Sequence, residues 1–158
     1  MSHEHHFACR LQWTGAAHGG TTAYDAYSRE YEITVKNKPI LKGSAAVPFR
    51  GDASLHNPED LLMASLSACH FLSYAAWCAR KKIVLVSYGD DAVGKMEMSG
   101  GKIRFTEVVL RPHAVIASGD LELAKKLHEA AHEECFIANS VNFPVRHEAV
   151  VLLQDSAK

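Results

Sequence analysis

The residues of this 158-residue chain best suited to covalent chemistry are its four cysteines, Cys9, Cys69, Cys78 and Cys135. A thiol attacks or reduces only as the thiolate, so a reactive cysteine needs a helix N-terminus, a cation or a metal to lower its pKa. Cys69 lies eleven residues beyond Pro58, too deep in a helix for the dipole to act. It therefore requires a basic partner from elsewhere in the fold, and without one it is an inert small core residue. His70 is its neighbour, but adjacent helical residues diverge by about 100°, which makes His70 a poor direct activator. Cys135 follows Glu133 and Glu134, whose negative charge raises a thiol pKa, so it reads as the second thiol of a pair and not as the attacking one. Cys78, almost half a turn from Cys69 and beside Trp77, reads as core, and so does Cys9 in a strand pattern.

A second constellation competes for Cys135. His128, His132 and Cys135 stand at i, i+4 and i+7 and share one helical face. A zinc ion or another transition metal accepts such donors, with His70 or an acid as a fourth. One helix seldom supplies a whole ligand set, however, and no CxxC accompanies this one, so histidines that line a pocket or pack are the simpler expectation. Three further histidines, His3, His5 and His6, fall in a frayed tail over residues 1–6, where metal binding would be adventitious.

The element that must position Cys69 begins at Asn57. Asn57 caps a helix, Pro58 suits its first position, and Glu59 and Asp60 complement the positive end of its dipole. From Leu61 to Trp77 no residue carries a formal charge with His70 neutral, and Leu, Met, Ala and aromatic side chains fall on every face. Such a helix is buried on most sides. Before it, residues 7–13 alternate as a half-buried strand, residues 21–35 hold alternating aromatic and β-branched positions, and residues 40–49 form a further short strand, which leads to two or three antiparallel strands. After it, residues 83–88, 94–99 and 102–110 read as strands, with Arg111-Pro112-His113 continuing the last as an edge. Asp120 caps a second helix running to Cys135, and residues 145–153 form a terminal strand. This order, without regular βαβ alternation, predicts an α+β fold in a single domain. A second apolar surface must cover the first helix, and the same helix of another subunit in a symmetric dimer supplies it.

Composition narrows the partners. The chain is 47% hydrophobic and 22% charged with a net charge of −1, as for an ordinary soluble globular domain with neither a basic nucleic-acid surface nor affinity for anionic membranes. The apolar run around Cys69 is marginal for a bilayer span. No export signal is seen in residues 1–7, and four scattered cysteines are not a disulfide scaffold, so a cytoplasmic, reducing location is expected.

The motif Asn57-Pro58-Glu59-Asp60-Leu61-Leu62, with Ala68-Cys69 following and Cys135 at the end of a second helix, resembles the OsmC/Ohr family of organic hydroperoxide-reducing proteins. The resemblance covers most of the chain. It implies antiparallel sheets packed around a long buried central helix and a second, cysteine-bearing helix in an intertwined homodimer. It also implies an active site at the subunit interface, organic hydroperoxide as substrate, an external dithiol as reductant and no cofactor. Cys69 would be the peroxidatic cysteine and Cys135 the resolving one, joined in a disulfide after a sulfenic acid forms at Cys69. Glu59 matches the glutamate that holds a catalytic arginine over the thiolate. At 1.5 Å per residue it lies about 15 Å from Cys69 along the helix, so an antiparallel partner helix is what could bring it to a thiol. The family's arginine aligns with Phe49, which makes Arg50 the candidate, with Arg29 and Arg10 behind it. Cys135-Phe136-Ile137 in place of Cys-Pro, and His70 after Cys69, mark a divergent subgroup. A non-catalytic dimer binding a small apolar ligand between its central helices is the remaining alternative.

Overall fold

The computed structural model describes residues 4–155, with nine strands and two α-helices among them. Of the tail expected over residues 1–6, residues 1–3, and with them His3, lie outside the described residues, while residues 4–9 form no regular element and are exposed. The chain divides into two compact units, one ending at Leu62 and the other beginning at Met63.

In the first unit β1 (Arg10–Trp13), β2 (Tyr31–Thr34) and β3 (Leu41–Gly43) form an antiparallel sheet in the order β1-β2-β3. Trp13 pairs with Tyr31, and Tyr31 with Gly43. A Cβ at position 43 would stand 2.4 Å from the Tyr31 ring; only glycine lets that ring cross the strand so closely. Cys9, expected in the core, is exposed just ahead of β1, whose own residues are exposed as well. The segment 21–35 contributes only four strand residues, because its first half is taken up by turns.

Helix α1 (Pro58–Arg80) starts in this unit and continues into the next. Its start is reciprocal: Asn57 Oδ1 accepts from the Asp60 N–H at 2.8 Å, and Asp60 Oδ2 accepts from the Asn57 N–H at 3.2 Å. This is a capping box built with aspartate, and it satisfies two otherwise orphaned donors.

In the second unit β4 (Val84–Asp90), β7 (Pro112–Ser118) and β9 (Val150–Leu153) form one sheet, and β5 (Val93–Ser99), β6 (Lys102–Leu110) and β8 (Val145–His147) another. Pro112 does not extend an edge. It opens β7, the central strand of its sheet, where a first residue tolerates a missing N–H. The terminal strand expected as one piece is two, broken at Glu148-Ala149, and each half pairs parallel in a different sheet, β8 on β6 and β9 on β7. Helix α2 (Leu121–Glu133) is capped by Asp120, whose Oδ1 accepts from the Leu123 N–H at 3.0 Å. Tyr74 and Cys78 of α1, Ala114 and Ile116 of β7, Val151 of β9 and Ala124, Leu127 and Ala131 of α2 make the core.

The fold is therefore α+β, with two helices and sheets paired largely antiparallel. Within one chain α1 buries a single i, i+4 stripe, Leu66, His70, Tyr74 and Cys78, and not most of its faces. Leu72 is 64% exposed, while Phe71, at 36%, packs one side against Tyr88. By length and composition α1 is also apolar enough to cross a membrane, yet its buried stripe packs into a sheet-and-helix core as the central helix of a globular unit does.

Candidate active site

Two sets of side chains carry chemistry, one in each unit. In the second unit the Cys69 and Cys135 thiols lie near enough to interact, and all four cysteines are free. Cys69 projects from the partly exposed flank of α1. Cys135 lies two residues past the end of α2, in a turn where the Ala138 N–H donates to its Sγ at 3.4 Å. Burial of Cys135 pushes its pKa up to about 11, and its interaction with Cys69 pushes the same way. The cause differs from the expected repulsion by Glu133 and Glu134: Glu134 turns away to Arg80, 3.6 Å distant. Cys135 is thereby held as a thiol at neutral pH. Iodoacetamide at neutral pH is expected to alkylate Cys69 at least about tenfold faster than Cys135, as read by peptide mapping. Cys78 is buried, and desolvation raises the pKa of its thiol; it belongs to the core as expected.

In the first unit a cavity of about 490 Å³ is lined by Trp13, Tyr27, Arg29, Tyr31, Phe49 and Glu59 among others. The Arg29 guanidinium lies 4.1 Å above the Tyr27 ring and 4.8 Å from the Tyr24 ring. It donates to the Tyr27 carbonyl at 2.7 Å and also to the Tyr24 carbonyl. Held between two rings by two carbonyls, the guanidinium is fixed before any anion arrives. One Glu59 oxygen is buried without a hydrogen-bond partner, an acceptor suited to a guanidinium or an N–H. Arg50 does not line this cavity. It closes the 3-10 turn Val47–Phe49 in the left-handed region, with φ 65°, and its side chain is exposed. Arg10 is exposed in β1.

The face of His128, His132 and Cys135, weighed as a rival metal site, is not continuous in the structure. Helix α2 ends at Glu133, so Cys135 leaves the helical register, and His128 Nδ1 is engaged by His70 Nε2 at 3.0 Å. Among the described residues no group of three or more His, Cys, Asp or Glu is placed to hold a metal ion.

Residues 51–149 match a family described as OsmC-like protein. The chain belongs to the OsmC-like family. An OsmC-like protein of unknown function from Vibrio cholerae is 31% identical, with 93% of this chain and all of that one superposed at a TM-score of 0.81. An organic hydroperoxide resistance protein from Elizabethkingia anophelis shares the fold at 19% identity and a TM-score of 0.68, over 98% of this chain and 100% of that one. The uncharacterized protein YmaD of Bacillus subtilis is 22% identical over 95% of this chain and 97% of its own length. These identities agree with a divergent OsmC-like subgroup. Arg29, which stands behind Arg50 among the arginine candidates of this OsmC-like chain, is the arginine that lines the first-unit cavity. The signal that could have raised it is Tyr24-x-x-Tyr27-x-Arg29, two aromatic faces within reach of one guanidinium.

Proposed function

We propose that this OsmC-like protein is a thiol peroxidase that reduces organic hydroperoxides to alcohols. The observation that carries the reading is the closeness of a partly exposed Cys69 to a buried Cys135, whose pKa burial raises. The Cys69 thiolate attacks the terminal oxygen of the hydroperoxide, the O–O bond breaks, and the alkoxide leaves as alcohol after taking one proton. Cys69 is then a sulfenic acid. The Cys135 sulfur attacks it, water leaves, and a Cys69–Cys135 disulfide remains. An external dithiol reduces the disulfide by exchange and is itself oxidised, so two electrons pass from dithiol to peroxide per cycle. No cofactor enters the cycle. A reducing cytoplasm would keep both thiols ready.

Cys69 still needs a cation, and Arg29 is the residue proposed for it, oriented with Glu59. Both would act across a homodimer interface. The exposed apolar flank of α1, with Phe71 and Leu72, favours a second α1 packed against it, and antiparallel helices would bring the partner subunit's Glu59 end toward Cys69. The aromatic wall of the Arg29 cavity suits the organic half of the peroxide. Arg29→Met is expected to lower kcat/KM for cumene hydroperoxide about 100-fold, and Arg50→Met by no more than about threefold. Equal losses in the two variants would remove Arg29 from this role.

A further inference from the structure

On the core side of α1 lies a group of imidazoles that the proposed reaction does not use. His70 of α1 and His128 of α2 are both at 0% exposure. Their ring planes are 10° apart with centroids at 5.3 Å, and His70 Nε2 meets His128 Nδ1 at 3.0 Å. Faces in van der Waals contact would bring the centroids to about 4 Å, as Tyr74 does on His128, at 3.8 Å and 11°. The two imidazoles are therefore nearly parallel and joined edge to edge by one N–H···N hydrogen bond, with Tyr74 covering the face of His128.

This geometry excludes a doubly protonated pair, and it offers a single imidazolium no acceptor for its outer N–H. One N–H fills the shared position, whereas two imidazolium ions would point two N–H groups at each other. The outer nitrogens, His70 Nδ1 and His128 Nε2, are buried without a partner. The groups facing the pair offer no help to a proton. They are His147 from β8, at 5.4 Å and 5.9 Å from the two rings, and His132 from α2, which touches His147. Tyr74 of α1 and, beyond it, Tyr88 of β4 complete the surround, with Cys78 in the same core cluster as Tyr74. Glu129 reaches His147 only, at 3.4 Å, so among the described residues no carboxylate contacts either ring of the pair.

We propose that the His70–His128 pair is an acid-released latch that positions the redox couple: while both rings are neutral it holds α2, and Cys135 just past its end, against α1 and Cys69. The latch rests on the closeness of the two thiols and not on what oxidises them. Burial first, and then the neighbouring histidines, hold His70 to about 4 and His128 to about 3, against an ordinary 6.5. An opened form, whose rings are hydrated, takes up protons near 6.5 that the closed form refuses. The closed form therefore has its full advantage above pH 6.5 and loses it as pH falls from 6.5 toward about 4.

Thiol labelling with 4,4'-dithiodipyridine, which reacts in acid, tests the latch without any peroxide. The rate at Cys135 is read by peptide mapping against the rate at exposed Cys9. From about pH 7 to about pH 4 the Cys135:Cys9 ratio is expected to rise at least about tenfold in the full-length protein. In His70→Leu/His128→Leu, which replaces both partners by apolar side chains, it should stay within about twofold. A flat ratio in the unmodified chain, or an equal rise in the double variant, overturns the latch. If the double variant does not fold, the histidine ring signals of the unmodified protein decide by NMR. Both rings should stay neutral until Cys135 becomes reactive, and titration of either near its ordinary value in the closed protein would refute the proposal. Loss of peroxidase activity leaves these readouts unchanged, so the two readings fail independently.

Discussion

Cys69→Ser is expected to abolish the proposed reduction of cumene and tert-butyl hydroperoxide, with kcat/KM falling by at least about three orders of magnitude. The size follows from the division of labour between the sulfurs. A serine hydroxyl in the same place is not ionised at neutral pH and cannot cleave the O–O bond. Cys135 cannot stand in for it, because burial and the interaction with Cys69 keep it protonated up to about pH 11. Removing Cys69 thus leaves no nucleophile that the fold has prepared. An assay coupled to dithiol oxidation measures the loss, and a variant that keeps more than about a tenth of the activity would place the reactive sulfur elsewhere.

Cys135→Ser has a different signature. The first attack needs only Cys69, so one equivalent of hydroperoxide is still consumed. Turnover with a dithiol reductant should then fall at least about 100-fold, because the partner that condenses with the sulfenic acid is gone. The trapped sulfenic acid is captured by dimedone as a single adduct on Cys69. In the unmodified protein the same treatment gives little adduct, since Cys135 already lies near the Cys69 sulfur and closes the disulfide first. A burst of one equivalent followed by near silence separates this role from a structural one, in which both phases would fall together.

Local chemistry carried the parts of the fold that could be read from residues alone. Both helix starts follow from side chains three residues from the groups they cap, Asn57 with Asp60 and Asp120 with Leu123. The two parallel pairings that split residues 145–153 between sheets are long-range and leave no local mark, so that segment read as one strand. Pro112 misled because proline suggests an edge, whereas a first strand position also tolerates it. The all-round apolarity of α1 pointed to burial that a single chain supplies along one stripe only.

The site was legible unevenly for the same reason. The NPED motif and the two cysteines pointed to the OsmC-like family, and the family match over residues 51–149 agrees. The closeness of Cys69 and Cys135 came only with the family resemblance, because nothing in the spacing of two cysteines on separate helices requires it. The setting of Arg29 depends on two tyrosine rings and two carbonyls in an irregular stretch, which no local pattern announces. The His70–His128 bond joins residues 58 positions apart, beyond the reach of any periodicity.

The central claim is that hydroperoxide drives two electrons out of the Cys69–Cys135 pair. Mass spectrometry of the reduced protein after one equivalent of cumene hydroperoxide tests it most directly. The account predicts the loss of two hydrogens and a single crosslinked peptide pair joining Cys69 to Cys135, reversed by dithiol. Recovery of both cysteines as free thiols, or a crosslink that omits either one, would contradict it.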